Sequence, residues 1–457
     1  MEHGTLGYFG DMRLKKNGEL LFKRIIEKRS VSLRKLGGNR ATEVKFGRFL
    51  SNEKVTMNEL TEESTKKTGQ LASGHHVLAL QDTTELNFEA HAGRVSGLGK
   101  VGNGIDAGLF LHPLLVLEAH SGACLGLGAV HTWMRHKTKS KNYQKQPIEE
   151  KESSRWLETA LEGKKTLKEA ALVTIIADRE SDIYEEWCRI PDERTHLLTR
   201  ACHNRKLANK EMLFEHAASL EVKGIKEVEV RERTKKRSAH KAKLEIRYGE
   251  IEIKKPKNCS DENAPESVKL TVVDVKELAE TVIENEEPIH WRLLTTHEVK
   301  TYEDACNIVK WYAFRWNIEQ LFRTLKKQGF QVESSQLETG TSLTKLAIIA
   351  LRAAVQTMQL TLARSGKIDR PVSDVFTSEE VEVLKAMRPR LEGKTVKQKN
   401  PHPKENLSWA AWIIARLGGW NGYASERPAG PITMLRGQIE FASICRGWFM
   451  AKDVCIP

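Results

Sequence analysis

The sequence offers little that would staple a fold covalently. Its seven cysteines, Cys124, Cys188, Cys202, Cys259, Cys306, Cys445 and Cys455, are odd in number, scattered, and include no C-x-x-C pair. They suggest neither a disulfide framework nor a zinc site, and the usage fits a reducing interior. Membrane signals are also missing. No apolar run reaches membrane-spanning length, and residues 1–10 lack the apolar core of a signal peptide. Internal repeats and low-complexity tracts are absent too. These absences lead to the expectation of a soluble, cytoplasmic protein with no membrane partner.

What is present is basic charge, unevenly placed. The chain has 457 residues, room for two to four domains, one of them with a substantial core. It carries 73 Lys and Arg against 61 Asp and Glu, a net of +12. Hydrophobic residues at 40% and charged residues at 29% are ordinary for a globular chain, so the sign of the charge is what informs. Residues 1–50 hold twelve basic residues and five acids, a net of +7, over half of the whole excess. That asymmetry favours an N-terminal module that contacts nucleic acid.

Within 1–70, Glu19–Glu27 and Val55–Gln70 read as helices joined by the turn-rich Leu36–Asn39, a small basic helical domain. Character changes at His76. Val77–Leu80 is a short apolar strand ending in Gln81-Asp82-Thr83-Thr84, and a glycine-rich polar loop follows over 92–108. Leu109–Glu118 and Cys124–Trp133 are strands joined by the hairpin signal His120-Ser121-Gly122. Glu149–Leu161 has helical spacing. Ala171–Ala177 is a continuous apolar run, as in a strand buried on both faces, and ends in Asp178-Arg179-Glu180-Ser181-Asp182. With a helix over Ile183–Arg189 and a strand over Thr195–Arg200, the order β-β-β-α-β-α-β predicts a mixed sheet flanked by helices.

Further on, Glu227–Arg233, Leu244–Lys254 and Val268–Val275 alternate apolar and polar positions, the pattern of a half-exposed antiparallel β insertion. Its tip is basic, with Lys235-Lys236-Arg237, Lys241 and Lys243. Trp291–Thr295 returns to a core-like strand, and Leu343–Leu362 is a long, mostly apolar helix. Pro371–Pro403 reads as a polar surface excursion; Leu407–Leu417 and Met434–Phe449 are apolar helices around a turn at Gly418–Pro431. The resulting division is 1–70 (helical), 71–205 and 289–365 (one α/β core), 206–288 (the insertion) and 366–457 (helical).

Thr301–Lys327 reads as a single amphipathic helix, started by Thr301 with Asp304 as cap and partner. At about 100° per residue, Tyr312, Arg315, Trp316, Glu319, Arg323 and Lys326 share one arc. Trp311, Phe314, Ile318, Leu321, Phe322 and Leu325 form the opposite, apolar stripe. The polar arc is either a solvated face with salt bridges or a carboxylate set among phosphate and base contacts.

Three acids stand out by position: Asp82 and Asp178 at strand ends, and Glu319 on that arc. Each aspartate singly could be a loop residue or a helix cap. Carboxyl ends of strands are, however, where open sheets bind ligands. Three converging carboxylates would supply the hard oxygens that Mg²⁺ prefers. A metal pair roughly 3.5–4 Å apart supports in-line displacement at phosphorus, so the reaction class implied is phosphodiester hydrolysis or transesterification. Glu180 and Asp182 could assist, although capping the next helix suits them better, and His112 and His120 read as ordinary strand-end histidines.

Tyr312-x2-Arg315-x3-Glu319-x6-Lys326, with QDTT at Gln81–Thr84 and DRESD at Asp178–Asp182, resembles the bacterial DDE transposases of the insertion-sequence-four family. Gly10-Asp11-x-Arg13 and Phe49-Leu50 with Asn52 resemble that family's end-binding domain, and Leu417–Trp420 with Pro428–Pro431 its segment after the core. The resemblance implies an RNase H-like catalytic core with a β insertion, flanked by helical N- and C-terminal domains. It implies cut-and-paste transposition with Mg²⁺, or Mn²⁺, held by Asp82, Asp178 and Glu319. Tyr312, Arg315, Lys326, Trp291, Arg200, Trp316 and Arg323 would contact DNA, with Trp291 filling the gap of a flipped base. The implied partners are DNA carrying transposon-end inverted repeats, target DNA, and a second copy of the chain in a synaptic dimer. Two other readings stay open: an inactive or inhibitory DNA-binding derivative, and a structure-selective nuclease of the same fold.

Overall fold

The structure, a computed structural model, describes residues 6–135, 146–230, 232, 237–326, 328–423 and 426–454. Lys235 and Lys236 of the expected basic tip, Arg231 and Arg233, Lys327 and Cys455 lie outside the described residues. The first helices are α1 (Met12–Lys28), α2 (Leu33–Gly37), α3 (Arg40–Ser51) and α4 (Met57–Ala72). Strands β1 (His76–Gln81), β2 (Thr84–Asn87), β3 (Gly99–Val101), β4 (Asp106–Glu118) and β5 (Cys124–Trp133) follow. Next are α5 (Ser154–Thr166), β6 (Leu172–Ala177), α6 (Tyr184–Arg189), β7 (Thr195–Arg200) and α7 (Leu213–Ser219). Then come β8 (Gly224–Val230), β9 (His240–Lys254), β10 (Ser267–Glu277) and β11 (His290–Thr295). The later helices are α8 (Tyr302–Phe314), α9 (Trp316–Leu325), α10 (Gly340–Ala363), α11 (Ser378–Leu391), α12 (Leu407–Leu417) and α13 (Pro431–Val454).

The chain divides into two compact units. One, Ser73–Asp82 with Lys139–Trp316, is built on a mixed sheet in the order β1-β6-β7-β11-β10-β9-β8. β1, β6 and β7 are parallel. β6, LVTIIA, is buried from Val173 to Ala177, which is why its sequence, Thr174 apart, is apolar without alternation. Beyond β7 the remaining strands pair antiparallel, and burial along β8 alternates, the sign of one solvated face. The strands read as an insertion are thus the outer strands of the same sheet. Trp156 and Leu157 of α5 pack with Ile148 and Ala177, so the helix expected from Glu149 begins a turn later, at Ser154.

Three histidines gather in this unit around Thr174, near the starts of β1 and β7. The Thr174 hydroxyl lies 2.9 Å from His76 Nε2 and 2.7 Å from His297 Nε2. The His196 ring stacks on His297 at 4.0 Å, and the Trp311 ring meets His76 edge-on at 4.8 Å. Burial, aided by the neighbouring His196 and His76, pushes the pKa of His297 down to about 3. Burial also lowers that of His196.

The other unit is Met1–Ala72, Thr83–Thr138 and Asn317–Pro457. Its strands β2, β3 and β5 all pair antiparallel with β4. Helix α4 approaches β5 so closely that a Cβ on Gly126, where φ is +142°, would sit 2.2 Å from Thr68 Oγ1. Helix α10 is the centre of the helical layer and packs against α1, α3, α4, α12, α13 and β5. By length and composition α10 could cross a membrane, against the expectation that no run was long enough. Its charged residues are few and the average stays apolar, and 83% of its most apolar window is buried in the protein, as in a core helix.

Two further expectations are corrected. Residues around Leu36–Asn39 do not join two helices directly, because α2 and α3 intervene, with Asn39 capping α3 through Thr42 N. Pro371–Pro403 is no mere surface excursion. It carries α11, started by a reciprocal Thr377–Glu380 cap, with Val381, Val383 and Leu384 buried.

Candidate active site

Register between β1 and β6 places the first two acids. Leu80 stands opposite Ile176, and Asp82 and Asp178 each follow two residues later. They therefore fall at matching positions past the carboxyl ends of neighbouring parallel strands, which lie roughly 4.8 Å apart. Both side chains remain partly open, 24% and 36% exposed. Asp178 Oδ1 also accepts from Arg179 N at 2.8 Å and so caps the short turn Arg179–Ser181. The capping role and the exposed strand-end position coexist.

The cation facing them comes from the segment expected as one helix over Thr301–Lys327, which is not continuous. Helix α8 begins with the expected reciprocal cap, Thr301 Oγ1 accepting from Asp304 N at 3.1 Å and Asp304 Oδ2 from Thr301 N at 2.9 Å. It is interrupted at Arg315, whose N–H bonds the carbonyl of Tyr312 at 3.0 Å, three residues back. Backbone angles there (φ −50°, ψ −32°) stay right-handed, so this is a tightened turn rather than a break in direction. Arg315 Nη1 lies 3.5 Å from Asp82 Oδ2, and Nη2 lies 3.9 Å from Asp178 Oδ2. One planar guanidinium thus compensates two carboxylates that would otherwise repel each other.

Tyr312 departs from its place on a polar arc. Its ring is buried, and its hydroxyl donates to Asp178 Oδ1 at 3.2 Å. Burial beside Asp178 raises its pKa further above the usual phenol value. Trp291 of β11, half-buried, meets the Tyr312 ring edge-on at 5.3 Å. Arg200, ending β7, donates to the carbonyl of His290 at 2.9 Å. This unit therefore gathers Asp82, Asp178, Tyr312 and Arg315, with Trp291 against Tyr312; half-buried Trp316 opens α9. Glu319, Arg323 and Lys326 belong to the other unit. There Glu319 lies part-buried in the first turn of α9, Arg323 is exposed, and Lys326 Nζ is 3.9 Å from Glu333 Oε1.

Residues 140–355 match the family model of the transposase DDE domain. That span holds Asp178, Glu319 and every candidate DNA contact; Asp82 precedes it. The chain is also similar to piggyBac transposase, solved by cryo-EM in a synaptic complex with hairpin DNA. The likeness has 10% identity and a TM-score of 0.41, over 97% of this chain and 73% of that one.

Around the matched domain's candidate site, several side chains behave differently from the sequence reading. Asp182 neither caps α6 nor faces outward. Its carboxylate accepts from Cys202 N, His203 N and Arg205 Nε at 2.7–2.9 Å, tying down the loop after β7. Glu180 pairs with Arg155 at 2.6 Å. His112 is not at a strand end but in the middle of β4, fully buried, with Nδ1 2.9 Å from Thr83 Oγ1. Sequence reasoning missed Gln81, Ser181 and Glu186 as a connected group, since an acid inside the aromatic-rich α6 carries no pattern of its own.

Among the described residues, no three His, Cys, Asp or Glu side chains form a group that could hold a metal ion. The donor chemistry of the paired aspartates nonetheless fits one: hard carboxylate oxygens, partly open, converging on a single cationic group.

Proposed function

We propose that this protein is a cut-and-paste DNA transposase of a bacterial insertion sequence, of the insertion-sequence-four family. The observation that carries the reading is the aspartate pair facing one arginine, in a chain whose residues 140–355 match the transposase DDE domain. Asp82, Asp178 and Glu319 would hold Mg²⁺, or Mn²⁺ in its place. When bound, the ion supplies positive charge at the scissile phosphate and eases displacement of oxygen from phosphorus.

The chain's own residues do the positioning. Tyr312 holds Asp178 by its hydroxyl. Arg315, between the aspartates, offers its fork to a phosphate oxygen beside the cleaved bond. Lys326, Arg323 and Arg200 neutralise backbone phosphates, and Trp316 and Trp291 present indole faces to bases. In the first displacement a water oxygen bonds to phosphorus and the 3′ oxygen of the transposon end leaves. The freed 3′-OH attacks a phosphorus of the opposite strand and expels the 3′ oxygen of the flanking DNA, making a hairpin. Water attacks the hairpin phosphorus and releases the same 3′-OH, which then bonds to a target phosphorus as the target's own 3′ oxygen leaves.

The wider assembly follows the same reading. Residues 71–205 and 289–365 form an RNase H-like core, interrupted in sequence by the 206–288 strands that extend its sheet. Residues 1–70 bind transposon-end repeats, and 366–457 mediate a synaptic homodimer, in the cytoplasm of a bacterial cell, at its nucleoid. The test is incubation of the purified protein and Mg²⁺ with a duplex carrying the inverted repeat that flanks its coding region. Nicks at the repeat boundary followed by hairpin product are expected. Binding without cleavage under Mg²⁺ or Mn²⁺ would leave an inactive DNA-binding derivative, and cleavage indifferent to the repeat would leave a nuclease.

A further inference from the structure

The β1–β6 backbone register runs from His76↔Leu172 to Leu80↔Ile176, two residues short of both aspartates. Past that point the side chain of Glu186 of α6 links the two segments. It is fully buried, with 0% of its surface exposed. One carboxylate oxygen accepts from Gln81 Nε2 at 3.0 Å, the other from Ser181 Oγ at 2.5 Å. Gln81 is the residue immediately before Asp82 and is itself fully buried. Ser181 closes the turn that Asp178 caps, its N–H bonded to the Asp178 carbonyl at 3.0 Å, and it too is fully buried.

An apolar side chain would fill this position between helix and strands at less cost, since a buried carboxyl is costly unless its oxygens are satisfied. Here each oxygen is spent on a different aspartate-bearing loop. The charged neighbour facing it is Asp182, whose own carboxylate is taken up by Arg205 and the Cys202 and His203 amides. We propose that Glu186 is a positioning residue: it clips the Asp82 loop to the Asp178 loop and so sets the spacing of the two carboxylates that bind the metal ion. This rests on the metal-binding role proposed above for those aspartates. Burial drives the Glu186 pKa up to about 8, so an amide is a near match for its neutral form.

The experiment is Mn²⁺ titration calorimetry on the full chain without DNA, alongside cleavage kinetics. Wild type is compared with Asp82→Asn, Glu186→Gln, Glu186→Leu and the milder Ser181→Ala. Outer partners of metal ligands typically change affinity by about 10–100-fold when lost. Glu186→Leu is expected to weaken Mn²⁺ binding by at least about tenfold and lower kcat with the KM for DNA unchanged, Ser181→Ala to do so in part, and Glu186→Gln to restore both. If wild type binds no Mn²⁺ that Asp82→Asn removes, the metal reading fails and the clip with it. If wild type binds and folded Glu186→Leu binds equally well, the clip alone is wrong. Should Glu186→Leu not fold, unchanged Mn²⁺ affinity in Ser181→Ala overturns it.

Discussion

Asp82→Asn and Asp178→Asn are each expected to lower the proposed cleavage of repeat-bearing duplex by about a thousandfold or more, ~4 kcal/mol in barrier, with DNA affinity within about twofold of wild type. Both carboxylates end adjacent parallel strands at matching register and face the Arg315 guanidinium, so each is placed to share one ionic site. An amide keeps the size and the strand geometry but removes the charge, so binding a hard cation suffers while the fold does not. DNA affinity should hold because it comes from basic groups spread over the surface rather than from two acids. Gel-based cleavage rates and fluorescence anisotropy on the same preparations separate the two effects. Equal cleavage by Asp178→Asn and wild type would reduce Asp178 to the cap it also forms on Arg179 N.

Below pH 6.5 the protein loses stability through the histidine group, and His297→Gln relieves that loss. The folded pKa of His297 is depressed to about 3, whereas the unfolded chain titrates near the usual 6.5. Between those values the unfolded state binds the extra proton, so stability falls as pH falls through this window, by ~1.4 kcal/mol per pH unit for one such group. Above pH 6.5 the contribution is fully present. Glutamine keeps a hydrogen-bonding group for the Thr174 hydroxyl and takes no proton. Denaturant unfolding from pH 7.5 to 4.5 should show wild type declining faster than His297→Gln, the gap closing by ~1.4 kcal/mol per unit below about pH 6. Parallel curves would contradict a neutral, buried His297.

Much of this arrangement was legible in the sequence because it rests on local patterns. The mostly apolar run to Ala177 and the strand ahead of Asp82 give a parallel pair, and period-two alternation read over Glu227–Arg233 gives a half-exposed strand, found as β8 three residues earlier. What was hidden depends on contacts distant in sequence. Tyr312 looks polar-facing by helical angle, yet Asp178, 134 residues away, draws its hydroxyl inward. Arg315 interrupts a helix with no proline or glycine to announce it, since the change is a single hydrogen bond to Tyr312. Asp182 could not be told from a helix cap until the loop after β7 supplied two amides and Arg205. Glu186 lies among aromatic residues, where only tertiary packing reveals its two partners.

Under the proposed function, Asp82, Asp178 and Glu319 would hold one metal ion. Replacing Mg²⁺ by Fe²⁺ with ascorbate and peroxide generates radicals at the bound ion, which cut the backbone within reach. The account predicts protein fragments ending near residues 82, 178 and 319, all three suppressed together by excess Mg²⁺ and absent from Asp82→Asn. Cuts near 82 and 178 without any near 319, or cuts that Mg²⁺ does not suppress, would contradict it.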